Sequence, residues 1–462
     1  MKGRATRMDQ AVTSQAVSAQ GVVETLTALL GVALLVALLT RRLRFPYTLA
    51  LALVGLALGL TRLVPSVELQ PAVVLFIFLP VLLFEGAWNI EMPALLANWL
   101  IILLLAAPGL LVAVGIAALA LHFGAGFSVL DALLLSAIIS PTDPIAVIAL
   151  LRQLGLSSRL SVIIEGESLF NDGIGAVTFT VTLSVLLTVI QSGSAPAAGQ
   201  AGVIALQSAW LLLGGPLLGL ALGFLVSRAL RHIEDRLIET AATFITAYGV
   251  YLIADLMRTS GLLAVVMAGL MVGSYGRRVG ISDSAREPVE NVWDFASYVV
   301  TSLLFLLLGL KIGASLTLKS IAPTLWAALG VFVARAVIVY GVLLPYNGIA
   351  RWYRQRHAHA RARGRPIPLP GSWRPLIVLS GLRGALSIAL ALSLPTALPN
   401  RDLMSSVVYG VVLITLIGQG IGLRALLPHW PNLHDGPDGQ VSQHVERETE
   451  STGTSSQPSS QT

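Results

Sequence analysis

Residues 165 to 172 read Glu-Gly-Glu-Ser-Leu-Phe-Asn-Asp, three carboxylates inside an apolar stretch that runs from about 160 to 191. An ionisable side chain near the centre of a bilayer costs roughly 2.5 to 3.5 kcal/mol even on lenient insertion scales, so such residues mark ion or proton pathways. At 100° per residue, Glu165, Ser168 and Asp172 share one helical stripe, and Glu167 with Asn171 the stripe beside it. A carboxylate withdrawn from water favours its protonated form, and a neighbouring cation favours the ionised one. One group, with Asp172 the first candidate, can thus hold either a proton or a metal ion.

Two further segments break apolar runs with a full charge inside each break. In Ser140-Pro141-Thr142-Asp143-Pro144 the prolines lack an N–H, which frees the carbonyls of Ala137 and Ser140 and biases Ser140 and Asp143 away from helix. Loose carbonyls and the Thr142 hydroxyl are hard oxygen ligands of the kind that replace water around an alkali cation. The other break is Gly381-Leu382-Arg383-Gly384. Asp143 can offset the positive N-terminus of a half-helix, and Arg383 the negative C-terminal ends. Simple packing kinks would explain a proline or glycine, not the buried charges. Paired broken helices are the sequence pointer to a transporter's midplane site.

The remaining charges read more plainly. Glu167 is expected to form a buried ion pair with the intramembrane arginines Arg383 and Arg335, since a pair satisfies both charges. Glu85, near the end of an apolar run, is an accessory cation ligand or an interfacial residue. Asp255 reads as a solvated cap, Lys311 as a snorkelling side chain, and His357 with His359 as part of a solvated Arg-rich loop.

These residues need helices that cross a membrane. The chain is 55% hydrophobic and 12% charged, with a mean hydropathy of +0.79, whereas a soluble domain carries about twice that charge. It has no cysteine, which excludes disulfides, thiol chemistry and cysteine metal sites, and no cofactor is expected. The net charge of +6 sits mostly on arginines in loops, suits anionic lipid and gives no reason to invoke nucleic acid. Thirteen apolar segments can span, near 22–40, 45–61, 69–88, 95–121, 128–151, 160–191, 201–228, 237–257, 259–276, 291–313, 321–345, 374–395 and 403–427. Alternate loops carrying Arg41, Arg42, Arg152, Arg159, Arg228, Arg231, Arg277, Arg278 and the run from Arg351 to Arg374 hold most of the basic residues. That asymmetry places the N-terminus outside and the C-terminus inside. Trp88, Trp99, Trp293, Trp352, Trp373 and Trp430 fall near expected span ends, as an interfacial aromatic belt would. The organisation expected is a polar segment over 1–20 without the apolar run of a signal peptide, a transmembrane domain over 21–430 and a disordered tail over 431–462.

FLPVLLFEGAWNIE (78–91), SAIISPTDPIAVIALL (136–151), EGESLFNDGIGAV (165–177), SGLLAVVMAGLMVG (260–273) and SGLRGALSIALAL (380–392) closely resemble, in order and spacing, the monovalent cation:proton antiporter family of NhaP-type sodium/proton antiporters and sodium/hydrogen exchangers. The resemblance implies an all-α polytopic fold of thirteen helices, with two inverted six-helix repeats after an extra first helix and two crossed discontinuous helices. It also implies a homodimer in a bacterial inner membrane. It makes Asp172 the cation- and proton-binding carboxylate, Asn171 its partner, Thr142, Asp143 and Ser168 its neighbours, Glu85 an acid that helps hold the ion, and Glu167 the partner of Arg383. Asp255, Arg258 and Lys311 depart from the family's usual residues, which bears on pH sensing and cation preference.

The reading is therefore a secondary antiporter, not an enzyme, exchanging sodium for a proton, with lithium or potassium as other candidate cations. Since Asn171 stands before Asp172 where electrogenic relatives of this fold carry a second Asp, exchange is expected to be electroneutral. A potassium/proton antiporter of the same fold is the nearest alternative. An aspartyl intramembrane protease would also place two acids, here Asp143 and Asp172, on adjacent helices, but the Gly-x-Gly-Asp signature is absent.

Overall fold

The computed structural model describes residues 24, 26–42, 46–61, 71–145, 147–148, 151, 157–193, 198–315, 317–356 and 368–426. The segment 1–20, the tail 431–462, Trp430, His357 and His359 lie outside the described residues.

The fold is all-helical. Helix α1 covers 26–42, α2 Tyr47–Thr61, α3 Pro71–Asn89, α4 Met92–Ala125 and α5 Val129–Ile139. The chain is helical again from 145, and α6 follows as Ser158–Ser192. Then come α7 Ala198–Leu230, α8 Arg236–Leu256, α9 Gly261–Val279, α10 Asp283–Ser315 and α11 Leu318–Arg356. The last three are α12 Trp373–Leu379, α13 Ala385–Leu392 and α14 Arg401–Leu426. Each of the thirteen expected spans coincides with one helix, or with a broken pair at 140–144 and 380–384. Nine helices among the described residues are long and apolar enough to cross a membrane unaided.

Local chemistry sets the ends. Ser128, Asp235 and Ser260 accept backbone N–H bonds at the starts of α5, α8 and α9, satisfying donors that a first turn leaves over. At the joint of α8 and α9 Arg258 takes a left-handed φ of 53°.

The breaks fall on the fifth and twelfth spans, seven apart. An odd offset reverses the direction of equivalent helices in the membrane. Spans one to six therefore correspond to eight to thirteen, with α7 as the connector, which corrects the expected extra first helix. Packing agrees: α2 runs along α10 just as its counterpart α9 runs along α3, and α4 meets its own counterpart α11. The α2 and α10 contact is made through Gly55, Gly59, Gly309 and Gly313. A Cβ on Gly55 would meet the Leu306 carbonyl, and one on Gly309 the Ala52 carbonyl. This is the small-xxx-small packing that brings membrane helices to backbone contact.

The aromatic belt is overturned for three tryptophans. Trp88, Trp293 and Trp373 are 0 to 2% exposed, and Trp293 stacks between Phe84 and Phe244 while donating to Thr243 Oγ1 at 2.9 Å. Trp88 and Trp373 do stand at the ends of α3 and α12 but face protein there, whereas α10 begins at Asp283, well before the expected start at 291, so Trp293 stands inside it. Trp99 and Trp352 are exposed as expected. Between α4, α6, α7 and α9 lies an apolar cavity of about 240 Å³, lined among others by Trp99, Phe170, Leu220, Met267 and Met271.

Candidate functional site

Pro141 and Pro144 do what proline must in a helix interior. The first helix stops after Ile139, the chain runs without helical bonds through Thr142 and Asp143, and it resumes with the Ile148 N–H on the Pro144 carbonyl at 2.8 Å. In the second break Ser380 to Gly384 separate α12 from α13.

The two breaks cross in direct contact. The Asp143 N–H donates to the Leu382 carbonyl at 2.8 Å. Arg383 Nε donates to the Ile139 carbonyl at 2.8 Å, its Nη1 donates to the Gly381 carbonyl, and Ser387 Oγ donates to the Ile138 carbonyl at 2.7 Å. In return Asp143 accepts from the N–H of Ile145 at 3.2 Å and of Ala385 at 3.4 Å. An acid thus serves two helix N-termini and a guanidinium two C-terminal ends, as helix dipoles favour. Glycine is required at 384, because a Cβ there would sit on the Asp143 carboxylate.

Helix α6 lies alongside the crossing. Ser168 Oγ donates to the Thr142 carbonyl, and Asn171 Nδ2 to Thr142 Oγ1 at 3.3 Å. Both residues are buried, and Asp172 is half-buried beside them. Asp172 has no hydrogen bond or ion pair among the described residues, and its electrostatic neighbour is Asp143. Thr142, Asp143, Ser168, Asn171 and Asp172 therefore converge, and together they offer hydroxyl, amide and carboxylate oxygens suited to a hard cation.

Glu167 is sealed by a different partner from the one the resemblance implied. Both of its oxygens accept from Arg335 of α11, one of them from Nη2 at 2.9 Å. The same guanidinium donates through Nε to the Ile377 carbonyl at 3.1 Å. The expected ion pair of Glu167 with Arg383 is thus corrected, because Arg383 is occupied by the carbonyls of the two breaks. A bidentate fork matches a carboxylate, whereas separated carbonyls do not. Glu85 accepts from Asn89 Nδ2 at 2.6 Å and from Ser297 Oγ of α10 at 3.3 Å, so α3 and α10 hold it. Asp255 is exposed, as a cap would be.

Residues missed from the sequence are Ser387, Thr415, whose Oγ1 accepts the Arg383 N–H at 3.3 Å, and Asn98, which accepts from the buried Arg159 at 2.8 Å. Ser387 lies three residues past Gly384, and that spacing from a break was its only visible signal.

Two broken helices crossed within a bundle, their half-helix ends turned on buried charges, define a secondary transporter. The family model described as sodium/hydrogen exchanger, transmembrane, matches residues 29–429, and the chain belongs to that family. It is a multi-pass membrane protein. It is similar to the low-affinity Na(+)/H(+) antiporter NhaS1 of Synechocystis, 34% identical over 93% of this chain and 79% of that one. To the Na(+)/H(+) antiporter ApNhaP of Aphanothece halophytica it is 36% identical, over 87% and 73% respectively. Among solved structures it superposes on the sodium proton antiporter MjNhaP1 of Methanocaldococcus jannaschii with a TM-score of 0.69, covering 88% of this chain and 98% of that one at 20% identity. That last likeness carries the fold.

Proposed function

We propose that this protein exchanges sodium for protons across the membrane, with the two ions competing for Asp172. The observation that supports the reading best is the Asp172 carboxylate itself, half-buried on α6 with no donor among the described residues, beside a backbone opened by two prolines. A buried charge without a partner is costly, and a bound proton or cation relieves that cost. The relatives named as sodium/proton antiporters give the same exchange.

When Asp172 is deprotonated, its carboxylate with Ser168, Thr142 and Asp143 replaces part of the hydration of the cation, while Asn171 holds Thr142 and Glu85 serves as an accessory acid. When the proton binds, the cation leaves. The helices around the breaks, α4 to α6 and α11 to α14, move the occupied site between the two faces against the remaining helices, which carry the homodimer contact. The N-terminus lies outside and the C-terminus in the cytoplasm of a bacterial inner membrane. The polar segment 1–20 and the tail 431–462 flank the transport domain.

With one titratable group exchanging, no net charge crosses. The test is proton flux in proteoliposomes driven by sodium, lithium or potassium, repeated with the membrane potential clamped. Sodium-driven flux whose end point ignores voltage is expected. A carrier of one net charge would feel about 2.3 kcal/mol per 100 mV, and an end point displaced to that extent rejects electroneutrality. Flux driven by potassium and not by sodium rejects the assigned cation.

A further inference from the structure

Behind the crossing is a cavity of about 10 Å³, lined by Ser140, Thr142, Glu167, Asn171, Arg335 and Arg383 together with apolar residues of α4 and α11. That is room for about one water molecule. Two polar atoms on its wall have no hydrogen-bond partner among the described residues, Ser140 Oγ and Asn171 Oδ1, and their residues are only 2% and 3% exposed. Leaving such atoms unpaired is costly. Thr178, Thr182, Ser208 and Ser227 each bond back to the carbonyl four residues earlier, whereas Ser140 Oγ, like Ser136 Oγ one turn before it, makes no such bond, and of these two Ser140 lines the cavity.

The charges on the wall choose the occupant. A cation would meet two guanidinium groups with one carboxylate between them, and that carboxylate is already held by Arg335. Arg383 has five side-chain N–H groups and uses two, on Ile139 and Gly381, so donors remain. A water accepting from Arg383 turns its own hydrogens outward, toward Ser140 Oγ and Asn171 Oδ1.

We infer that Ser140 and Asn171 Oδ1 hold a buried water against Arg383, and that Ser140 is a positioning residue for cation binding. The water fixes the Asn171 amide with its oxygen on the arginine side, and its Nδ2 then donates to Thr142 Oγ1 beside Asp172. A flipped amide would aim N–H groups at the guanidinium and reverse the bond to Thr142, whose hydroxyl would then donate to Oδ1 in place of accepting from Nδ2. The inference rests on the reading of Asp172 as the ion site.

The test uses the full chain in lipid nanodiscs, wild type beside Ser140→Ala and Ser140→Thr, imaged at a resolution that shows ordered water and assayed after reconstitution. Water density between Ser140 Oγ and Asn171 Oδ1 is expected in wild type and lost in Ser140→Ala. The apparent KM for sodium should rise about fivefold in Ser140→Ala, roughly the effect of one hydrogen bond, with kcat and thermal stability unchanged, and Ser140→Thr should recover most of the affinity. A dry cavity in wild type overturns the inference, as does an unaltered KM in Ser140→Ala. A drop in kcat and stability that the hydroxyl of Ser140→Thr does not rescue also overturns it, since that marks a packing role. If instead Asp172 is not the ion site, Asp172→Asn retains exchange, and the density still decides where the water lies.

Discussion

Glu167 and Asp172 stand five residues apart on one helix, and their surroundings are opposite. Glu167 is 1% exposed with both oxygens in the fork of Arg335. Asp172 is half-buried and meets no donor among the described residues. The first charge is spent on holding α6 to α11, and no ion can compete for it. On the reading proposed above, the second is left to whatever ion arrives. Within one helix, then, the partner decides the role, and residue type does not.

The largest effect expected from breaking this contrast is at Asp172. Asp172→Asn cannot titrate and costs less to bury than a charge, so sodium-dependent proton flux should fall to that of empty liposomes while the protein stays folded by thermal unfolding. Residual flux well above that background would move the ion site elsewhere. Next is Arg335→Ala, which strands Glu167 and should destabilise by roughly 3 to 5 kcal/mol, read as lost expression and a lower Tm in detergent. Arg335→Met with Glu167→Gln should be milder than Arg335→Ala alone, and an equal loss would show that the pair is not the cause.

Arg383→Ala is expected to be gentler, about 1 to 3 kcal/mol, because it removes hydrogen bonds to helix-end carbonyls and leaves Glu167 paired. Tm values for the two alanine variants side by side would settle which arginine Glu167 depends on. The smallest effect belongs to Glu85→Gln. Its amide oxygen can still accept from Asn89 and Ser297, so the apparent KM for sodium should rise only about threefold with kcat unchanged. A rise of more than tenfold would make Glu85 a direct ligand.

Most of the scaffold could be read from the residues. The spans show as apolar runs, and both breaks show because proline and glycine act locally, on the carbonyl and the φ of their own turn. The charge roles of Asp143 and Arg383 followed from the same local logic of helix ends. What stayed hidden was tertiary. Nothing in the neighbourhood of Arg335 or Arg383 tells which of them faces Glu167, since that depends on how α11 is rotated against α6. Trp293 was misplaced for a related reason: an apolar run marks where lipid or core begins, whereas α10 already starts at Asp283 and passes through the exposed Glu287 before it. Ser387 hid because serine is common in helices and only a crossing partner, here the Ile138 carbonyl, gives it a task.

The seam of α2 and α10 has a mechanical consequence. Where Gly55 and Gly309 let carbonyls touch the opposite backbone, there is no layer of side chains to rearrange, and any slip short of a full register step drives main chain into main chain. Such a joint behaves like meshed teeth. The apolar cavity bounded by Met92, Met267 and Met271 is lubricated by contrast, since unbranched, polarizable thioethers refill a changing gap at little cost. Shear is therefore cheap between α4 or α6 and α7 or α9, and forbidden between α2 and α10. A leucine in place of Gly309 would strip the teeth and separate two helices that otherwise move as a single beam.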